Sequence, residues 1–449
     1  MFQNVRKKVS WIVRGKGSVA ATAQTIIVML GILAINVLTG IITARTLGPE
    51  GRGEQAALIL WPEFLANVVT LGIPSALVYN LRRYPEQRNK LFSAAVIICA
   101  VISTVSAIVG VLFLPQWLSQ YPPEMIRVAQ LFMPIVPIFL LAQLFAVSLE
   151  ASSQFTISNV GKYMMPVGTL MLLTGFVVTD NMNSYNAAMA YILPGIIVFI
   201  SRVAYLRQIF SFQWSGLVEA YRRLMSYGFR SYGVELVKTL SGQLSQVVIV
   251  GLLSSNNLGI YVVALSLSRM MSVFQTSFVT VLFPTVAGRP VKEVVTLTGR
   301  AARISLALTC CAGMVVALIA PFVLDALYGE RFLAALTVFR ILLVEVIISG
   351  TVWVFLQAFM AVGKPGFVTL LQGLGVGISV PLMFLLIPLF GLEGAGMALL
   401  CSSSTRLILV YFSFGSILKV KPPSLLLNKQ DLNFVLKSVQ SKKNLVKKY

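Results

Sequence analysis

The sequence predicts an all-α protein that crosses a membrane about twelve times, with its helices in two pseudo-symmetric lobes of six around a central cavity. Of its 449 residues, 57% are hydrophobic and 11% are charged, and the mean hydropathy is +0.85. A soluble domain carries roughly 25% charged residues, so this composition excludes a soluble enzyme. The apolar runs are long enough to cross a ~30 Å hydrocarbon core. They lack strict alternation, which indicates helices and not the strands of a barrel.

Twelve apolar runs define the predicted spans, and only short connections separate them. In order, they cover residues 20–43, 54–79, 91–114, 127–149, 156–178, 187–208, 231–253, 257–283, 301–320, 336–361, 366–389 and 395–418. The first run is too long for a cleaved signal peptide and is expected to remain as an anchor. The predicted organisation is a basic interfacial segment (1–18), a first lobe (19–208), a cytoplasmic linker (209–230), a second lobe (231–418) and a basic amphipathic tail (419–449).

The cations set the predicted orientation. With both termini in the cytoplasm, 28 of the 36 Lys and Arg residues lie on the cytoplasmic side, four lie opposite and four lie inside spans. This bias is the positive-inside pattern of a multi-pass membrane protein. It accounts for most of the net charge of +21 without a nucleic-acid partner. Basic amphipathic termini also predict contact with anionic membrane lipids.

The sequence offers few of the residues that carry most catalytic chemistry. The sequence has no histidine, which excludes a His-based triad, metal site or proton relay. Its three aspartates, Asp180, Asp325 and Asp431, are too far apart for a DxD metal motif. The four cysteines lie in apolar runs and are expected to be small buried hydrophobes. We therefore predict no catalytic residue, no cofactor and no metal.

A weak internal repeat supports the two lobes. Gly53 opens span 2 as Gly259 opens span 8, and Pro74 corresponds to Pro284. The segment that follows span 4, residues 151–155, corresponds to residues 361–365 after span 10. The offset is about 206–212 residues. Six spans per repeat is an even number, so both halves would have the same orientation, related by an axis along the membrane normal.

Polar residues recur at helical spacing in the first two spans of each half. A polar side chain in lipid is costly unless it faces protein or water, so these residues are expected to line the cavity. Helix–helix hydrogen bonding is the alternative. Three neighbouring glycines in span 11, including Gly375, predict close packing or bending. The predicted polar lining is Asn36, Glu63, Asn67, Thr70, Gln246, Ser272 and Gln275.

Four cations inside spans form the predicted anion site: Arg269, Lys238, Arg406 and Arg340. Arg269 and Arg406 have no acidic residue nearby in sequence, and an unpaired guanidinium in a wet cavity suits a phosphate group. Lys238 could instead pair with Glu235 three residues earlier. Arg406 could pack on a carbonyl or pair with Glu345 or Glu63.

Several motifs carry a family resemblance over residues 18–418. Residues 44–54 read ARTLGPEGRGE, residues 71–76 read LGIPSA, and span 8 contains Arg269-Met270-Met271 and later LFPT at 282–285. These segments resemble the Wzx-type oligosaccharide flippases of the multidrug/oligosaccharidyl-lipid/polysaccharide exporter superfamily, which also includes lipid II flippases and MATE transporters. Ser268 stands before Arg269, where lipid II flippases tend to carry an acid.

The resemblance implies a substrate and roles for the cations. The substrate would be an oligosaccharide on undecaprenyl pyrophosphate, moved across a bacterial inner membrane by alternating access for O-antigen lipopolysaccharide, exopolysaccharide or capsule synthesis. Arg269 would hold the pyrophosphate with help from Lys238 and Arg406, and Arg45 and Arg52 would lie at the outer mouth. Polysaccharide polymerase and chain-length proteins would be further partners.

Three alternatives remain open. The first is a cation-coupled drug antiporter of the same fold, in which Glu63 or Glu345 would carry the coupling ion. The second is a lipid II flippase. The third is an enzyme such as a polymerase or ligase, which is disfavoured because the outer connections are short, and we expect no enzymatic activity.

Overall fold

The computed structural model describes residues 18–428 and Asp431. In this part of the chain all regular structure is helical. The predicted basic segment 1–18, apart from its last residue, lies outside the described residues, as does the predicted amphipathic tail beyond residue 428 apart from Asp431. Residues 419–428, the first part of that tail, are not helical.

Thirteen helices follow one another in the described residues. They are α1 Ser18–Val68, α2 Ile73–Arg83, α3 Arg88–Trp117, α4 Pro123–Phe132, α5 Ile135–Ala151, α6 Phe155–Val178, α7 Ser184–Ile209, α8 Val218–Leu252, α9 Ser255–Met270, α10 Ser272–Val286, α11 Val291–Tyr328, α12 Leu336–Ala361 and α13 Pro365–Ser416. Short 3-10 turns precede α3 and α12 at Pro85–Gln87 and Glu330–Ala335.

The helices fit the predicted twelve spans. Eight helical segments among the described residues are long and apolar enough to cross a membrane, and α9 with the start of α10 forms a ninth, bent by 41°. Both α1 and α13 are interrupted by a glycine with positive φ, Gly48 at 67° and Gly391 at 58°. At 1.5 Å per residue an unbroken helix of their length would measure about 75 Å, so each holds two spans. The remaining span is α8, whose Glu235 and Lys238 lower its hydropathy.

Span 7 begins earlier than predicted. Its helix, α8, starts at Val218, so the second half of the predicted linker 209–230 is helical and only residues 210–217 are not. Ala220 and Leu224 lie one turn apart and are both buried, which gives this charged stretch an inward-facing apolar stripe. The start of α8 is therefore an amphipathic helix that continues into the membrane span.

Three predicted spans are broken. Span 2 stops at Val68 and resumes at Ile73, because Leu71 and Gly72 have positive φ angles of 46° and 69° that a helix cannot accommodate. Span 4 breaks between α4 and α5, and span 8 breaks at Met271. The second span of each half is thus a pair of helices.

The helices form two compact units. The first contains the residues up to Leu114 together with Glu124–Ser231, and the second contains Pro115–Pro123 together with the residues from Tyr232 onward. Stacked rings of Phe92, Phe145 and Phe210 help to fill the first unit. In the second unit, a buried cluster centred on Phe355, Phe359 and Phe414 joins α12 to α13.

Two turns of the backbone lie at the offset of the predicted repeat. After α5, Ser153 has a φ of 62°, and the amide of Gln154 donates to the carbonyl of Leu149. After α12, Gly363 has a φ of 76°, and the amide of Lys364 donates to the carbonyl of Phe359. Both turns close a helix with a left-handed residue and a hydrogen bond that spans five residues, as in a Schellman motif. They are 210 residues apart, within the predicted offset.

Asp431 ties the start of the tail to α11. Arg303 donates from Nε to its Oδ2 at 2.6 Å and from Nη2 to its Oδ1 at 3.0 Å, and Arg300 lies 3.4 Å away. The amide of Asn428 adds a further hydrogen bond at 3.1 Å. The hydrogen bond from Arg303 lowers the pKa of Asp431 below its ordinary value, although burial opposes this shift.

We predict that Asp431→Asn will release residues 419–428. A charge-assisted hydrogen bond contributes about 1.5–3 kcal/mol, so trypsin should cleave after Lys419 about tenfold faster or more at neutral pH. The control variant Asp325→Asn removes an exposed carboxylate at the other end of α11. Trypsin should cleave it at the wild-type rate. An unchanged cleavage rate in Asp431→Asn would contradict the prediction.

The same contact has a defined pH dependence. The folded carboxyl has the lower pKa, so its contribution is present above the ordinary aspartate value of ~3.9. It is lost as the pH falls through the depressed value. Hydrogen exchange of residues 419–428, corrected for intrinsic rates, should rise at that pH in the wild type and show no such transition in Asp431→Asn.

Candidate functional site

Arg406 is held inside the second unit by two neutral side chains. It lies in α13, after the interruption at Gly391. Its Nη1 donates to Oε1 of Gln372 at 2.6 Å, and its Nη2 donates to Oγ of Ser403 at 2.8 Å. Ser403 in turn donates to Oε1 of Glu345 at 2.6 Å. These four residues are called the Arg406 cluster below.

The cluster replaces a direct ion pair with a hydroxyl relay. Ser403 is fully buried and Gln372 is 7% exposed, so both are fixed by packing. The predicted alternative of a salt bridge from Arg406 to Glu345 is realised only indirectly, because the Ser403 hydroxyl accepts from one and donates to the other. Arg406 remains charged, since a guanidinium is not deprotonated in proteins.

Two donors of the cluster are unused. Nε of Arg406 and Nε2 of Gln372 are buried and have no hydrogen-bond partner among the described residues. An unsatisfied buried donor costs about 1–3 kcal/mol. An oxygen-rich ligand placed here would satisfy both, so the cluster has unused capacity for an anionic group.

Gly375 makes room for the Arg406 side chain. A Cβ on Gly375 would lie 2.6 Å from Cδ and 2.8 Å from Nε of Arg406. The two parts of α13 are also joined here, because Ser402 donates to the carbonyl of Gly375 at 2.7 Å. The predicted close packing at this glycine is therefore observed, and the side chain that packs against Gly375 is that of Arg406.

Arg269 lies at the break in span 8. It occupies the last turn of α9, where a cation interacts favourably with the helix dipole. Its side chain is exposed, and Nη2 donates to the carbonyl of Gly242 at 3.1 Å. Arg269 and Arg406 both interact electrostatically with Glu345. The structure thus brings these two predicted cations around one carboxyl group, with a net positive charge even when that carboxyl is ionised.

The other two predicted cations stand apart from these contacts. Lys238 in α8 and Arg340 near the start of α12 are both exposed. Neither has a hydrogen bond or an ion pair within the described part of the chain, so the proposed pairing of Lys238 with Glu235 is not formed.

The predicted polar lining divides into exposed and packed side chains. Asn36 and Glu63 are exposed, and Gln246 and Ser272 are half-buried. Asn67 accepts a hydrogen bond from Gln143 at 2.7 Å, and Thr70 is 4% exposed.

Gln275 is occupied in joining two helices. It donates to the carbonyl of Val346 at 3.0 Å and fills the space above Gly350. For Gln275 and Asn67 the structure therefore shows the alternative of helix–helix hydrogen bonding.

The two arginines predicted at the outer mouth flank Gly48. Arg45 is exposed, and Nη1 of Arg52 donates to Oε1 of the buried Gln55. Nε of Arg52 is buried without a hydrogen-bond partner among the described residues. Nearby, Ser184 donates to Oε2 of Glu54 at 2.7 Å, which joins the start of α7 to this connection.

Comparisons with known proteins identify the fold. A family model described as "Polysaccharide biosynthesis protein" matches residues 18–288. The chain resembles the lipid II flippase MurJ in an inward closed conformation (12% identity, TM-score 0.77, 88% of this chain and 87% of that one). It also resembles an inward-facing multidrug resistance MATE family transporter of the MOP superfamily, with 15% identity, a TM-score of 0.69 and coverage of 87% of this chain and 97% of that one. A MOP superfamily transporter from Pyrococcus furiosus is similar as well, with 14% identity, a TM-score of 0.55 and coverage of 86% of this chain and 95% of that one. A search of curated protein sequences returned no match. The structural likeness confirms the predicted helical membrane fold, and the family model confirms the predicted resemblance to proteins of polysaccharide biosynthesis.

Proposed function

Because the chain belongs to the polysaccharide biosynthesis family, we propose that it moves an oligosaccharide on undecaprenyl pyrophosphate from the inner to the outer leaflet of a bacterial inner membrane. The product would serve O-antigen, exopolysaccharide or capsule synthesis. The fold is that of membrane flippases and transporters. The proposal includes no catalytic step, because the lipid-linked substrate crosses unchanged.

The Arg406 cluster is the observation that carries this proposal. Arg406 is held in position by Gln372 and Ser403 but keeps one buried donor free, and Arg269 shares its carboxyl neighbour. A pyrophosphate carries several acceptor oxygens, and arginine binds such groups in a fork. The guanidinium groups of Arg406 and Arg269 would together compensate its charge.

The sugars and the polyprenyl tail of the substrate need different surroundings. The sugars need hydrogen bonds, which the exposed side chains of Asn36 and Glu63 and the half-buried Ser272 offer. The polyprenyl tail would stay in lipid while the two helical repeats rock to alternate access. In the orientation that the cation bias predicts, the substrate would be loaded from the cytoplasm, where the sugars would be attached.

A cation-coupled antiporter is the second candidate. Glu345 lies beside two cations and accepts a hydrogen bond from Ser403, an arrangement suited to a carboxyl group that changes protonation during transport. The structural likeness to a MATE family transporter also supports this candidate.

Transport assays on reconstituted protein distinguish the flippase from the antiporter. Full-length protein in liposomes with a fluorescent undecaprenyl pyrophosphate disaccharide in the inner leaflet should increase the rate at which an external quencher bleaches it. Empty liposomes set the background. Failure to increase the rate, together with ethidium export driven by a proton gradient, would replace the flippase proposal with the antiporter.

A further inference from the structure

A basic, aromatic depression lies in the first unit, outside the site described above. It is formed where the end of α2 and Tyr84 meet the start of α8. Two adjoining open cavities of about 630 Å³ and 360 Å³ share Tyr79, Arg83 and Tyr227 in their walls. The first adds Arg82, and the second adds Tyr84, Arg222, Arg223 and Arg230. We call this the arginine–tyrosine depression.

Its walls are fixed by backbone packing. Gly72, in the break of span 2, touches Gly228 of α8 closely enough that a Cβ on Gly228 would lie 2.6 Å from the carbonyl oxygen of Leu71. Next to this contact, the rings of Tyr79 and Tyr227 stack with centroids 4.3 Å apart. These contacts set the spacing between the two helices that carry the arginines.

Tyrosine side chains orient two of the five guanidinium groups. Arg223 lies 3.9 Å from the ring centroid of Tyr84, and Arg83 lies 5.7 Å from the same ring. Arg83 also donates to the hydroxyl of Tyr79. Cation–π contacts of this kind hold a guanidinium flat and leave its edge available for a forked hydrogen bond.

The charge of the depression is mostly uncompensated. Glu219 pairs with Arg223, yet Nη1 of Arg223 is still buried without a hydrogen-bond partner in the described structure. Arg82, Arg222 and Arg230 are exposed and form no ion pair with any described residue. Five arginines and one carboxylate form a site for an anion with several oxygens.

The adjoining loop indicates the depth of the depression. Trp214 is 80% exposed and packs edge-on to Phe212, which is 43% exposed. Exposed Trp next to a membrane span is typical of the headgroup layer. An anion that reaches the depression would therefore be at the level of lipid phosphates.

We propose that the arginine–tyrosine depression binds a phosphate group at the membrane surface. Arg82, Arg222 and Arg230 supply charge, while Arg83 and Arg223 are oriented by tyrosines to donate. The proposal does not depend on the transport activity, since the site belongs to the first unit alone and Arg406 and Arg269 to the second.

Binding to full-length protein tests this proposal. One arm titrates inorganic pyrophosphate into protein in phosphatidylcholine nanodiscs and follows the heat. The other counts phosphatidylglycerol and phosphatidylcholine retained by detergent-purified protein in native mass spectrometry. Arg222→Gln with Arg230→Gln should weaken pyrophosphate binding about tenfold or more, or abolish the preference for phosphatidylglycerol. Both residues are exposed, so the variant should fold.

A charge-matched control makes the test specific. Arg207→Gln with Lys292→Gln removes two exposed cations elsewhere and should bind both probes like the wild type. A loss restricted to phosphatidylglycerol identifies a bilayer lipid as the ligand, and a loss restricted to pyrophosphate identifies a pyrophosphate-bearing one. If the depression variant matches the wild type with both probes, or the control loses as much, the proposal is wrong.

Discussion

Arg406→Gln is expected to reduce flipping of the lipid-linked disaccharide at least about tenfold in the liposome assay. A hydrogen bond to a charged group contributes about 1.5–3 kcal/mol, and 1.4 kcal/mol corresponds to about a factor of ten. Glutamine keeps a polar group but loses the charge and the unused Nε donor. Arg269→Gln should have a similar effect, because Arg269 lies at the break of span 8 beside the same Glu345.

The graded variants identify the cause. Arg406→Lys keeps the charge but cannot reach Gln372 and Ser403 together, so its rate should be intermediate. Arg331→Gln removes an exposed cation that is not part of the cluster, and this variant should flip the lipid at the wild-type rate. Reconstituted amounts must be equal, as judged by quantitative gels. Wild-type rates in both Arg406→Gln and Arg269→Gln would eliminate the cluster as the pyrophosphate site.

Gly375→Ala should lose activity nearly as completely as Arg406→Gln, although it changes no charge. The added methyl group would lie 2.6 Å from Cδ of Arg406, so the side chain must leave Gln372, Ser403 or both. Over-packing of this kind costs about 1–3 kcal/mol. The same liposome assay measures the loss.

A neighbouring glycine provides the matched control. A Cβ on Gly377, two residues further along α13, would meet nothing within 4 Å. Gly377→Ala should therefore flip like the wild type. Adding Gly375→Ala to Arg406→Gln should reduce the rate little further, since both act on one interaction. Independent, multiplying effects would mean that Gly375 acts on the helix and not through Arg406.

Much of the fold could be predicted because apolar length is a strong signal. Span 5 was predicted at 156–178 and is Phe155–Val178. The breaks were harder to predict, because a positive φ at Leu71 is imposed by tertiary packing and not by the residue type. The helical start of α8 was missed because its charged face hides the buried stripe from a hydropathy criterion.

The candidate site was predicted only in part. Arg269 and Arg406 are conspicuous as cations in spans without acidic neighbours. Gln372 and Ser403 could not be assigned as the partners of Arg406, since Gln372 lies 34 positions away and is brought near by the fold. The arginine–tyrosine depression was missed for the same reason: its cations come from two distant segments and count in sequence only as positive-inside charge.

The twin turns at Ser153 and Gly363 bear on the origin of the chain. Left-handed backbone suits glycine and is costly for serine, yet both positions adopt it. A shape kept against local preference is the trace expected of a tandem gene duplication, in which inherited geometry outlasts residue identity.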